Sequence, residues 1–200
     1  MRDRYGSFHD LSRKEKEGRD YRIVFANEGA PVLIMAPHGG EIEPGTTELA
    51  RAIAGKEWGF YSFCGTKQEG NFADLHITST RFDEPRALRM AASSLCTVTV
   101  HGCRESSCRV YVGGRDSALK EGLRQALVAG GFAVAEHSRY AGTDPANICN
   151  KNRSGKGVQL EVTRGLRRLM FPEYPRRERT SVVFDKFVAA VRHAVGTCLK

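Results

Sequence analysis

No stretch of this chain approaches the ~18 consecutive apolar residues of a membrane span, so an integral membrane protein is not expected. The opening Met1-Arg-Asp-Arg-Tyr-Gly-Ser-Phe8 lacks the apolar segment of a secretory signal. A soluble protein made in the cytoplasm is the expectation; release by cell lysis would leave no mark in the sequence. Cysteines number six, at positions 64, 96, 103, 108, 149 and 198, and none forms a CxxC pair. That excludes the common thiolate zinc spacings, and a domain of this size needs no disulfide framework. Cys103 and Cys108 flank a turn-like Arg104–Ser107, close enough to face each other, but free buried thiols are expected for most of the six. Repeats and low-complexity tracts are also missing. What remains is a composition 40% hydrophobic and 27% charged, normal for one globular domain over residues 1–200.

Acidic residues are outnumbered. The net charge is +8, with clusters at Arg13–Lys16, Lys151–Lys156 and Arg164–Arg168. Solvated surface charge explains this as well as a polyanionic partner does, and charge alone does not choose. Nucleic-acid binding is disfavoured, because no helix-turn-helix, finger or aromatic-interleaved basic stretch is present. A monomer is the default.

Hydrophobic patterning alternates between strand and helix. Strands are expected at Tyr21–Ala26, Val32–Ala36, Phe60–Cys64, Leu75–Thr78, Cys96–His101, Val110–Val112, Phe132–Glu136 and Val158–Val162. Helices are expected at Thr46–Ala54, with Thr46 or Thr47 as N-cap, and at Glu84–Ser94, Ser117–Gly130 and Thr180–Leu199. Between the last two strands, Arg139–Gly157 has no period and reads as a long functional loop. The pattern predicts a single three-layer α/β domain, an open mostly parallel or mixed sheet flanked by helices.

Two of the strand-like runs end the same way. Val32–Ala36 breaks at Pro37 into His38-Gly-Gly-Glu41-Ile-Glu43, and Cys96–Val100 runs into His101-Gly102. Ligands of open α/β sheets bind beyond the carboxyl ends of strands. Two histidines and a glutamate there form the donor set of a catalytic zinc with one position open for water. The reading is a metallohydrolase. Spacing alone leaves Glu41 and Glu43 as equal candidates for the carboxylate ligand. Period-2 alternation in Val158-Gln-Leu-Glu161 sets Glu161 apart from the apolar face, as suits a general base. The plainer alternative is a strand-end glutamate paired with Arg164 or Arg167.

Pro37–Thr46, Leu75–Pro85, Val100–Gly102, Val112–Gly114, Asn147–Asn150 and Gly157–Glu161, with the opening Tyr5–Leu11 and Gly18–Ile23, occur in the order seen in a known family. As a set they resemble the phage-type poly-γ-glutamate hydrolases. The resemblance implies a zinc carboxypeptidase-like fold and a zinc-dependent amidohydrolase acting on γ-glutamyl amides. It implies His38, Glu43 and His101 as metal ligands, preferring Glu43 to Glu41, and Glu161 as the catalytic base. His76 and Asp83 fall in family segments and are candidate partners of the ligand histidines. Arg115, Arg153, Arg164 and Arg167 are candidates for the oxyanion or for substrate carboxylates. The rival substrates are cell-wall γ-glutamyl links and small acylated amino acids.

Overall fold

The computed structural model describes residues 3–199, so the Cys198 side chain and the chain ends lie outside the described residues. In chain order the elements are α1 (Phe8–Ser12), β1 (Tyr21–Ala26), β2 (Val32–Gly40), α2 (Thr46–Ala54), β3 (Gly59–Gly65), α3 (Asn71–Leu75), α4 (Pro85–Ser93), β4 (Cys96–Cys103), β5 (Arg109–Gly114), α5 (Ser117–Ala129), β6 (Ala133–Ala135), β7 (Val158–Thr163), α6 (Arg164–Met170) and α7 (Val182–Val195). The strands form one mixed sheet in the order β1-β3-β2-β4-β7-β5-β6. β3, β2, β4 and β7 run parallel, β1 pairs antiparallel to β3, and β5 pairs antiparallel to β7 and parallel to β6.

Alternation along the strands divides the core between two faces. Val32, Ile34, Val98, Val100, Val158 and Leu160 pack with α2, α5, α6 and α7. Leu33, Met35, Tyr61 and Phe63 pack on the other face against α1, α3 and α4. The result is the expected three-layer α/β domain. No helix among the described residues is long and apolar enough to cross a membrane.

Three expectations need correction. β2 does not stop at Pro37; it runs to Gly40, with a register break between Ala36 and Gly39. Proline lacks a donor for the ladder, so it sits at that irregularity, where no N–H is demanded. Leu75–Thr78 is not a strand. Leu75 ends α3 and the chain continues extended from His76; the burial of Leu75 and Ile77 imitates a two-residue period without any strand partner. Helix α2 is preceded by Gly45 at φ 100° rather than capped by Thr46 or Thr47. Thr46 Oγ1 donates to the Glu43 carbonyl at 2.9 Å, and Thr47 Oγ1 accepts from Gly40 N–H at 2.9 Å. The short helices α1 and α6 carry too few periods to be legible. Among the described residues Cys103 and Cys108 are free, as are Cys64 and Cys149.

The topology creates an opening. β2 leads through α2 to β3 on one side, while the strands after β4 lie on the other, so the sheet's order reverses between β2 and β4. Their pairing ends at Met35–Thr99, and the two strands separate beyond it. Side chains at the diverging ends face a shared space, the usual place for a ligand in such sheets.

Candidate active site

A cleft of about 670 Å³ opens there, lined among others by His38, Glu43, His76, His101 and Glu161. His38 Nε2 is 2.8 Å from the Ile77 carbonyl, which can only accept, so Nε2 carries the proton and Nδ1 keeps its lone pair. That Nδ1 lies 3.1 Å from His101 Nδ1 and 3.3 Å from Glu43 Oε1; His101 Nδ1 is 3.7 Å from Glu43 Oε2. Two donors ~2.1 Å from one ion at a tetrahedral angle lie ~3.4 Å apart, so these separations fit a single small cation. His101 Nε2 is buried with no hydrogen-bond partner among the described residues, so the ring's polar contacts are all on its Nδ1 side.

The turn carrying Glu43 is fixed from several directions. Glu43 N–H donates to the His38 carbonyl at 2.9 Å, and Gly102 N–H donates to Glu43 Oε2 at 2.9 Å. Burial alone would raise the Glu43 carboxyl, but the charges and hydrogen bonds of His38 and His101 hold it well below the usual range. Glu41, the competing acid, points outward and pairs with Arg177. Geometry therefore separates the two glutamates.

Glu161 faces the same cleft, registered beside His101 on the neighbouring strand. Burial, reinforced by the Glu43 charge, holds its carboxyl well above the ordinary range, against the opposing charges of His38, Arg167 and Arg139. No ion pair ties it down among the described residues, which removes the alternative of a strand-end acid neutralised by Arg164 or Arg167.

His76 is closer to the centre than a remote supporting role requires. Its ring lies 4.1 Å from that of His38, centroid to centroid, and its donor atom falls within 4.8 Å of those of His38 and Glu43. A His38–Glu43–His76 cation site is thus an alternative to the trio with His101. The tighter spacings favour His101. His76 Nδ1 is also occupied by Asp3 Oδ1 at 2.8 Å, and burial followed by the His38 charge pushes its pKa down to about 4.

Asp3 also accepts from Thr78 N–H at 2.8 Å and from Thr78 Oγ1 at 2.7 Å. Nothing local marked it in the sequence, since its partners lie more than seventy residues away. Asp83, expected beside the histidines, instead accepts from Phe8 N–H at 2.5 Å and anchors α1. The partner of the His38 ring is a backbone carbonyl, which no side-chain pattern reveals.

The four predicted arginines are placed elsewhere. Arg115, Arg153 and Arg164 are exposed and do not line the cleft. Arg167 is buried, donating to the carbonyls of Pro44 (2.5 Å), Cys103 (3.0 Å) and Val162 (3.2 Å). It ties the Glu43 turn to β4 and β7 from behind. Arg167→Ala should lower stability by about 2–4 kcal/mol, as buried carbonyls lose their donors. Urea denaturation measures this, and an unchanged midpoint would mean those bonds carry no net stability.

Arg104 and Arg139 line the cleft instead. Residues 138–142 cross over the sheet and are held closely: Gly114 N–H donates to the Ala141 carbonyl at 2.7 Å and Gln159 Nε2 to the Tyr140 carbonyl at 3.1 Å. Asn147 Nδ2 in turn fixes Gln159 Oε1 at 2.8 Å. A methyl group on Gly113 would collide with the Tyr140 carbonyl oxygen. Gln159 shares the Glu161 face, so the same alternation that marked Glu161 could have flagged it.

Comparison with known proteins covers this whole arrangement. A solved bacteriophage poly-gamma-glutamate hydrolase superposes with a TM-score of 0.94 at 32% identity, covering 98% of each chain. Zinc-free YndL gives a TM-score of 0.91 at 36% identity, again over 98% of each. In sequence, UPF0714 protein YndL of Bacillus subtilis (strain 168) is 38% identical over 189 residues, 92% of this chain and 73% of that protein. The poly-gamma-glutamate hydrolase profile matches residues 5–190, from the start of α1's approach to the middle of α7. Fold and sequence thus agree over nearly the full length, and the chain belongs to the poly-γ-glutamate hydrolase family.

Proposed function

We propose that the chain is a zinc-dependent amidohydrolase that cleaves γ-glutamyl amide bonds of poly-γ-glutamate. The observation carrying this is the approach of His38 Nδ1, His101 Nδ1 and the Glu43 carboxylate to within 3.1–3.7 Å of one another, with Glu161 in the same cleft. Zinc is the favoured ion because the donors are two imidazoles and a carboxylate, and the related YndL is described by its zinc-free state. Held by His38, Glu43 and His101, zinc supplies the positive charge that polarises a carbonyl and acidifies water.

The chain's own residues do the rest. The Ile77 carbonyl keeps the His38 Nδ1 lone pair aimed into the cleft, and Gly102 N–H keeps the Glu43 carboxylate turned toward both rings. Glu161 receives the proton of the attacking water on a carboxylate oxygen and returns it to the leaving nitrogen. Its surroundings favour holding that proton between the two transfers.

Degradation of poly-γ-glutamate by the purified protein, set against cell-wall fragments, tests the substrate. Polymer shortening that stops on chelation is expected, with KM rising steeply with added salt while kcat holds, because carboxylate contacts far from the cleaved bond bind ground and transition states alike. Cleavage of wall fragments with the polymer untouched would move the assignment to a cell-wall amidase.

A further inference from the structure

Two arginines reach the cleft with no carboxylate partner among the described residues. Arg104 follows the end of β4, its guanidinium stacked over the Phe72 ring at 4.7 Å. Stacking of this kind holds the plane while leaving the N–H donors free around its edge. Arg139 stands on the segment whose backbone is pinned by Gly114 and Gln159, beside Tyr140. Arg104 is thus placed by its ring contact and Arg139 by its anchored segment, each with an unspent fork of donors, in a cleft that also contains Glu43 and Glu161. Carboxylates elsewhere absorb arginines such as Arg19, Arg81, Arg124, Arg177 and Arg192; these two have no carboxylate among the described residues.

We propose that Arg104 and Arg139 read the substrate's linkage, each binding an α-carboxylate on one side of the scissile amide. This rests on the function proposed above. In a γ-linked chain the carbon bearing the scissile nitrogen also bears a free carboxylate. In an α-linked chain of the same composition that position is taken by the next amide, and the carboxylate lies at the end of the side chain. The carboxylate beside the leaving nitrogen is thus the signature of the γ-link. Glu161 delivers its proton to that nitrogen. Arg139 precedes Tyr140, whose ring packs 5.4 Å from that of Tyr111, the β5 residue registered against Glu161, so Arg139 stands on the Glu161 side of the cleft and serves the leaving side. Arg104, beside Phe72, serves the acyl side, where both kinds of chain present a carboxylate at the same remove from the carbonyl. Arg139 is then the specificity determinant, and Arg104 a contact common to both isomers.

Binding of γ-linked and α-linked tetraglutamate, each amidated at the α-carboxyl of its last residue so that the two keep equal charge, tests this in the Glu161→Gln background by isothermal titration. The parent should prefer the γ-isomer at least tenfold. Arg139→Gln should weaken the γ-isomer about tenfold, the value of one charge-assisted contact, and leave the α-isomer unchanged, erasing the preference. Arg104→Gln should weaken both isomers to the same extent. Arg139→Lys should recover only part of the preference, because an ammonium keeps the charge without the fork. Zinc content and melting temperature equal to the parent's exclude misfolding as the cause. Equal weakening of both isomers by Arg139→Gln, or no weakening, overturns the inference while the proposed function stands. A parent that binds neither isomer and degrades no polymer overturns both.

Discussion

Glu161→Gln should bind zinc as the parent does and hydrolyse polymer about 10²–10⁴-fold more slowly, the range by which a positioned general base accelerates a reaction. The substitution is nearly isosteric and keeps the strand pairing of β7, whose register depends on backbone groups. The side chain has no ion-pair partner among the described residues, so its neutral replacement strands no buried charge. What is lost is the proton acceptor alone. The loss should appear in kcat, with KM within a few-fold of the parent, since the carboxylate acts on the transition state rather than on bound substrate. Near-parental turnover would remove Glu161 from the mechanism and direct attention to His76, a titratable side chain that lines the cleft beside His38 and lies outside the proposed ligand trio.

The second large effect concerns zinc and stability together. An ion that binds only the folded chain stabilises it by about 4 kcal/mol when its free concentration is ~1,000 times the dissociation constant. Adding zinc to chelator-treated protein should therefore raise the melting temperature by several degrees, on the order of 2–4 °C per kcal/mol in a chain of this size. His38→Ala should abolish the rise, because the ring supplies a donor whose lone pair is already oriented by the Ile77 carbonyl. His101→Ala should do the same, whereas His76→Ala should preserve most of it. That contrast decides between the two candidate trios, and a shift lost with His76 but retained without His101 would exchange their roles.

Much of this site could be read before any coordinates. His38 and His101 each follow a run of β-formers and precede glycine, so their convergence could be argued from two local patterns and one topological rule; their ring nitrogens indeed meet at 3.1 Å. Alternation along Val158–Glu161 sets Glu161 apart from the apolar face, and the side chain does line the cleft. The preference for Glu43 over Glu41 rests on family resemblance; in the structure Gly102 N–H holds Glu43 toward the cleft while Arg177 draws Glu41 out.

Illegible features share a different property. Asp3 meets His76, and Arg167 meets Pro44, across large sequence separations and with no periodicity to announce them. Proximity in sequence to Glu161 made Arg164 and Arg167 attractive, yet α6 turns the first to solvent and the second to the back of the site. Arg104 and Arg139 arrive from the end of β4 and from the segment after β6, and only the tertiary fold brings them to one cleft.

The close seating of Tyr140 on Gly113 restricts how this enzyme can be redesigned. With no room for even one added carbon beneath it, the roof of the channel cannot be raised or shifted by exchanging the strand residue below. Altered substrate preference must come from the ornaments of that roof, such as the side chain at position 139, while its rafters stay as they are.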